Sequence, residues 1–323
     1  MDKEHKQTDK RLAIMEKHLE QVYRRASNDV GKEWREYIDK QGEKILKLHN
    51  DYLEAIKSGD KDKISKAKQL LQKKEKAVTL QDKRYQRQTE KLAEELLHVN
   101  ETALAYVNHQ LPEIYSLNYN KLAETVDGIG GYSFELTDPT TVRNLATRNN
   151  NLLPYKKVNG KKDIRWNTKK INSEVLQGIL LGEPMDKIAK RFSNVLGMNK
   201  TSAIRNARTS VTSAENKGRQ DSYIQAEKDG IQLEKEWLST HDNRTRYSHA
   251  MLNGQKVPIN KKFKSILGEL DYPADPNGVP ADIYNCRCTV IANVKGFNKI
   301  QVEKTMEKRV EKNQKKKQVN KNG

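Results

Sequence analysis

The sequence predicts a mainly α protein with a small α+β module at its C-terminal end: a long helical hairpin, then central helices, then short antiparallel strands carrying a Cys-x-Cys. Three observations predict it. The first 110 residues contain no proline, only Gly31, Gly42 and Gly59, and are dense in Lys, Glu, Gln, Leu and Ala, which lose little rotamer freedom in a helix. Apolar residues recur there at spacings of three and four, as in Leu12, Met15, Leu19 and Val22, and again in Leu92, Leu96 and Leu97. Beyond Gly230 the pattern changes to short alternating or apolar runs separated by turn-forming residues.

The hairpin has a visible turning point. "IKSGDKDK", Ile56 to Lys63, supplies Ser58, Gly59 and Asp60, a C-terminal stop followed by a new N-cap. Each arm would reach ~70 Å at 1.5 Å per residue. An apolar stripe on such an arm either docks on another protein or satisfies its own partner helix, and the pattern leaves both open.

Glycines and a proline crowd "VDGIGGYSFELTDPTT", which marks a boundary near Asp127 to Asp138. "RNNNLLPYKKVNGKKDIRWNTKK" then reads as an irregular basic loop or hairpin around Asn159-Gly160. It mixes Lys156, Lys157, Lys161, Lys162, Arg165, Lys169 and Lys170 with Tyr155 and Trp166. Cations that neutralise phosphates, interleaved with stacking aromatics, are what nucleic-acid grooves use; a solvated basic loop anchored by Trp166 has the same composition.

A helix pair follows. Val175, Leu176, Ile179 and Leu180 form one apolar face ending at "LGEP", and Met185, Ile188, Ala189 and Phe192 form another ending near Gly197. Thr201 or Ser202 then caps a helix running toward Gly230. Its Ile204, Ala207, Val211, Ala214 and Gly218 make a narrow small-residue face, while Arg205, Arg208, Thr212, Asn216 and Arg219 share another. The arginines suit either phosphates or a buried salt-bridge seam with a neighbouring module.

In the last module, "LEKEWLST" reads as a strand with Leu233, Trp237 and Leu238 inward, and Asp242 caps a turn bearing His249 that Gly254 ends. "CTVIANV" is the closing strand. Residues at i and i+2 of an extended chain lie on one side, so Cys286 and Cys288 face one centre. A disulfide between them would close a strained ring. With His249, and with His241 as a further imidazole, they offer a ligand set that zinc would favour; two buried thiols in a hydrogen-bonded core are the alternative.

Composition bounds the rest. Of 323 residues, 35% are hydrophobic and 32% charged, lean for one large core, so the chain divides into two or three domains. The expected divisions are 1–126 (helical hairpin or docking arm), 127–200 (basic linker and helices), 201–300 (the C-terminal domain) and 301–323 (a basic flexible tail). Net charge is +18, and residues 141–219, with 17 basic against 5 acidic side chains, carry +12 of it. That concentration points to a polyanionic partner. No apolar run of ~18 residues offers a membrane span and no leader is evident, so a reducing cytoplasm is the expected location. The sequence has no G-x-S-x-G, H-E-x-x-H, P-loop or dinucleotide fingerprint, and no enzyme is expected.

Four ordered stretches, "NARTSVTSAENKGRQDSYIQAEKDG", "EWLSTHDNRTRYSHAMLNGQ", "YPADPNG" and "YNCRC", resemble the head-morphogenesis domain of tailed-phage minor head proteins, the phage Mu F-like family, from about Thr201 to Val294. The matching positions include Asp242, Arg244, Thr245, Arg246, His249, Asn285, Cys286, Arg287 and Cys288. Some relatives carry an acidic residue where this chain has Ser210. Others carry Cys-x-x-Cys where it has Arg246 and His249, which removes one potential ligand and leaves three. The resemblance implies a non-enzymatic virion component inside the capsid near the portal, with the portal protein, capsid or scaffolding protein and phage DNA as partners, DNA contact without sequence readout, and a role in head assembly, packaging or ejection. A nucleic-acid-binding protein acting outside a virion and a toxin-associated enzyme domain are the alternatives.

Overall fold

A computed structural model describes residues 3–77, 83–122, 138–148, 153–181, 183, 185–240, 242–298, 304 and 307. The glycine-rich boundary before Asp138, His241 and most of the basic tail lie outside the described residues. The elements run α1 (Lys3–Ser58), α2 (Lys61–Ala77), α3 (Lys83–Tyr119), α4 (Pro139–Arg148), α5 (Gly160–Leu180), α6 (Met185–Lys228), β1 (Ile231–Leu238), α7 (Tyr247–Leu252), β2 (Lys256–Pro258), β3 (Phe263–Lys264), β4 (Glu269–Leu270), α8 (Pro280–Ile283) and β5 (Thr289–Phe297). The chain divides into two compact units that interleave in sequence: a helical unit of 16–106 and 157–204, and a second unit drawn from 1–15, 107–156 and 205–323.

In the helical unit α1 and α3 form the expected hairpin. His18 stacks on Tyr106 at 3.9 Å, Tyr23 donates to Asn100, Lys91 pairs with Glu33 at 2.7 Å, and Trp34 meets Tyr85 edge-on at 6.3 Å. Positions rising along α1 meet positions falling along α3, so the pair is antiparallel. Leu19, Tyr23, Ala26, Val30 and Trp34 are the buried stripe of α1, and Tyr85, Leu92, Ala93 and Leu96 that of α3. Each fully buried large side chain contributes roughly 1.5–3 kcal/mol. The stop before α2 is built as its residues dictate: Gly59 takes φ +68, and the Asp60 carboxylate accepts the N–H groups of Asp62 and Lys63.

Two local expectations are corrected here. The Asn159-Gly160 pair does not make a basic loop or hairpin turn; it opens α5, with the Asn159 side-chain carbonyl accepting the Lys162 N–H at 3.1 Å. Asn is as good an N-cap as a turn residue, and the long-range contacts decide. Behind α5, buried Asn167 and Asn199 share a hydrogen bond at 2.9 Å, Asn199 accepts from Asn100 at 2.8 Å, and Asp163 accepts from both Asn100 and Asn167 at 3.0 Å. This network holds α5 on the hairpin. The second correction concerns Gly197, which does not end a helix: α6 runs unbroken for 44 residues. A mid-helix glycine costs about 1 kcal/mol, less than the burial of Phe192, Val195 and Leu196 just before it.

In the second unit a three-stranded antiparallel sheet of order β2-β1-β5 covers a core of Tyr223, Ile231, Leu233, Trp237, Leu252, Phe263 and Val290. β1 alternates as a half-covered strand should, burying Ile231, Leu233, Lys235 and Trp237. Leu238, expected inward, is only half-buried, because alternation puts it on the opposite face from Trp237. Lys235 is the surprise of this strand. Its Nζ donates to Gln220 at 3.2 Å and to the Asp271 carbonyl at 2.8 Å, 5.3 Å from the Phe263 ring centroid, and burial pulls its pKa down to about 8.

Candidate functional site

The C-terminal half of α6 is the seat on which the thiol segment rests. The Thr212 hydroxyl donates to the Cys286 carbonyl at 2.8 Å and the Asn216 amide to the Cys288 carbonyl at 3.2 Å, while Asn216 Oδ1 accepts the Val290 N–H at 2.8 Å. Thr209 accepts the Asn285 N–H at 3.1 Å. These are α6 positions three and four apart, so one helix face grips four backbone polar groups of the segment. Asn285 sits at φ 55, a left-handed conformation that asparagine tolerates, and it reverses the chain so that both thiols turn inward.

The thiols and the imidazole are brought together. His249 Nδ1 lies 3.3 Å from Cys288 Sγ and 3.8 Å from Cys286 Sγ, and all three side chains are buried. Both cysteines lie just before β5 and are unpaired as thiols. Burial pushes the Cys286 thiol up, whereas the hydrogen bond from Cys286, followed by His249, pulls Cys288 down. The Trp237 ring meets the imidazole edge-on at 5.5 Å and the Ser239 hydroxyl donates to the His249 carbonyl at 2.6 Å. The far side of the imidazole, Nε2, faces Asp282 Oδ1 at 3.6 Å.

The remaining motif residues frame this cluster. The Asp242 carboxylate accepts a forked pair from Arg287 at 2.5 and 2.7 Å and the Arg244 N–H at 3.0 Å, which together hold its pKa far below the usual range. Thr245 donates to the Thr240 carbonyl, and Thr240 donates to the Arg287 carbonyl at 2.7 Å. Arg246 donates to the Asp282 carbonyl at 3.1 Å and to the Tyr284 carbonyl. The Arg244 side chain is 71% exposed, and its guanidinium approaches Asp242 at 3.7 Å.

The basic residues separate into groups. Lys161, Lys162, Arg165 and Lys169 are exposed on one side of α5 beside Trp166, which is 39% exposed, and Lys170 Nζ lies 5.7 Å from the Trp166 ring centroid. Lys157 is also exposed. Lys156 and Arg205 flank the Tyr284 ring at 5.3 and 5.2 Å; Lys156 is half-buried, and burial followed by repulsion from Arg205 lowers its pKa. Arg208 is half-buried. Arg219 departs from the phosphate-gripping expectation. It is fully buried, pairs with Glu215 at 3.3 Å, and donates to Asn118 at 3.1 Å and to the Val290 carbonyl at 3.3 Å. It realises the seam reading of its stripe.

Sequence reasoning missed Asp282 and Lys235, whereas Thr209 is one of the positions that match the family motif. Only Asp282 left a signal, a carboxylate four residues before Cys286 inside a turn-rich run; Lys235 becomes meaningful only through contacts distant in sequence.

Residues 169–291 match the family model described as Phage Mu protein F like protein. Two curated relatives are similar at 30% identity. One is Minor head protein GP7 of Bacillus phage SPP1, over 122 residues, 38% of this chain and 39% of that protein. The other is NAD(+)--arginine ADP-ribosyltransferase EFV of Enterococcus faecalis, over 128 residues, 40% of this chain and 26% of that protein. The chain thus spans about a quarter to two fifths of the length of these relatives. No solved structure matches.

Proposed function

We propose that this chain is a non-enzymatic minor head protein of a tailed phage or prophage, built into the capsid interior near the portal, where it contacts packaged DNA without reading its sequence. The Mu F-like match over 169–291, together with the similarity to a phage minor head protein, carries the reading. The exposed face of α5 supports the DNA contact: Lys161, Lys162, Arg165 and Lys169 supply cations along one side of a helix held rigidly from behind, and Trp166 offers an apolar plate among them. The basic tail adds +5 over residues 303–323. No helix of the described residues is long and apolar enough to cross a membrane. The portal protein, and capsid or scaffolding protein, are the protein partners in this reading.

Binding of the full chain to unrelated duplexes of equal length tests the DNA contact. Affinity is expected to be independent of sequence and to fall steeply with salt. Replacing Lys161, Lys162, Arg165 and Lys169 together by alanine is expected to reduce the slope of log affinity against log salt by roughly 3–4. An unchanged slope would remove α5 from the interface.

The similarity to an arginine ADP-ribosyltransferase favours a second reading, a toxin-associated enzyme domain. It covers 26% of that protein, so the activity in that name does not pass to this chain with the similarity. Incubation with NAD and an arginine-rich acceptor separates the readings: the head-protein account expects no transfer, and transfer abolished by substitutions in this chain would favour the second.

A further inference from the structure

We propose that His249, Cys286 and Cys288 hold a single zinc ion through one imidazole nitrogen and two thiolates, and that Asp282 orients the imidazole from behind. The ligand atoms lie within 4.8 Å of one another, on three buried residues. Four-coordinate zinc, about 2.3 Å from sulfur and 2.0–2.1 Å from nitrogen, separates an S,N ligand pair by about 3.5 Å. The two distances from Nδ1, 3.3 and 3.8 Å, bracket that value.

The orientation of His249 is the independent observation. Its Nδ1 points at the sulfurs and its Nε2 at a carboxylate, yet Nε2 and Asp282 Oδ2 are both buried without a hydrogen-bond partner. Leaving such groups unpaired costs about 1–3 kcal/mol each in an inert core. In a metal site the same arrangement has a purpose: the Nδ1 lone pair binds the ion, and Nε2–H turned toward the carboxylate fixes the tautomer and ring angle. Asp282 is itself held, accepting from the Ser248 hydroxyl through Oδ1 at 2.8 Å, so it is a positioning residue and not a ligand. The backbone clamps from Thr209, Thr212 and Asn216 preset the thiols on the other side.

Charge favours the same conclusion. Two thiolates and one Zn²⁺ sum to zero with a neutral imidazole, so the ion would bury without net charge, and binding releases the two thiol protons to solvent. Softness of the donor set selects zinc over magnesium or calcium. Three protein ligands leave the fourth position to a water molecule. The ion would join α7 to the segment before β5, with α8 held to the imidazole through Asp282, and so serves as a staple.

The test uses the full chain, reduced and stripped with a chelator, then titrated with Co²⁺ and with Zn²⁺ alone. The expected result is one equivalent bound, a thiolate-to-cobalt charge-transfer absorption that Zn²⁺ displaces, and loss of that absorption in Cys288→Ser. Asp282→Asn is expected to keep the absorption and to weaken zinc binding about 10–100-fold. Should Cys288→Ser fail to fold, the wild-type and Asp282→Asn titrations still decide. Folded wild-type protein with two titratable thiols and no cobalt–thiolate absorption would overturn the site, and unchanged zinc affinity in Asp282→Asn would overturn the role of the carboxylate.

Discussion

Arg219→Met lowers the stability of the second unit by about 3–5 kcal/mol, the largest effect expected of any single substitution outside its apolar core. The guanidinium is fully buried and shares Glu215 with His5 and Thr289, at 3.3, 2.7 and 3.1 Å. Removing the arginine takes the guanidinium from a buried carboxylate and one donor each from Asn118 Oδ1 and the Val290 carbonyl. Replacing Glu215 and Arg219 together by apolar residues of similar volume is expected to cost much less, because no buried charge is then left alone. Chemical denaturation followed by tryptophan fluorescence reads both; a loss below about 1 kcal/mol for Arg219→Met would show that water reaches the cluster.

The same cluster gives stability a pH dependence with a definite sign. Burial alone would lower the pKa of His5, but its hydrogen bond to Glu215, the charge of Glu215 and that of Asp9 outweigh this and raise it above 6.5. A raised histidine pKa contributes stability that is fully present below the unfolded value and is lost as pH rises through the folded one. The wild-type chain is therefore expected to lose part of its stability on going above neutral pH, and a His5→Phe variant to lose that dependence.

Gly218→Ala is the second large effect, and its sign is diagnostic. In an open helix, alanine is better than glycine by about 1 kcal/mol. At Gly218 a Cβ would stand 2.5 Å from the Tyr115 carbonyl oxygen and 3.2 Å from the Tyr119 nitrogen, both backbone atoms of α3. Neither can move without displacing its helix, so the substitution is expected to destabilise by about 1–3 kcal/mol, and Gly218→Val by more. Gly197, on the same helix, meets nothing within 4 Å, and Gly197→Ala is expected to stabilise slightly by the same assay. Stabilisation at both positions would mean that α3 and α6 do not approach as closely as described.

These residues also show what a sequence can and cannot display. The hairpin was legible because its signals are local: a stripe at helical spacing, and Gly59 and Asp60 at its end. The Asp242 turn and the common side of the two thiols were legible because turn chemistry and alternation fix them over a few residues; the meeting with His249, 37 and 39 residues away, was signalled by ligand type alone. The function of Arg219 was not, since whether a helical arginine meets a phosphate or a buried carboxylate depends on Asn118 and Val290, 101 and 71 residues away. Asn159-Gly160 misled for a related reason, as the same pair opens a hairpin or a helix according to what packs behind it. Gly197 misled because a local propensity cost was outweighed by tertiary burial. The interleaving of the two compact units, in which α1, α3 and α6 each contribute to both, has no local signature at all.

The central claim is that this chain works as a fixed part of a phage head and not as a catalyst. Quantitative mass spectrometry of purified particles assembled with and without the portal protein tests it most directly. The account predicts this chain in the portal-containing particles at a constant number of copies, and its depletion from those lacking the portal; its absence from purified heads of either kind would contradict the account.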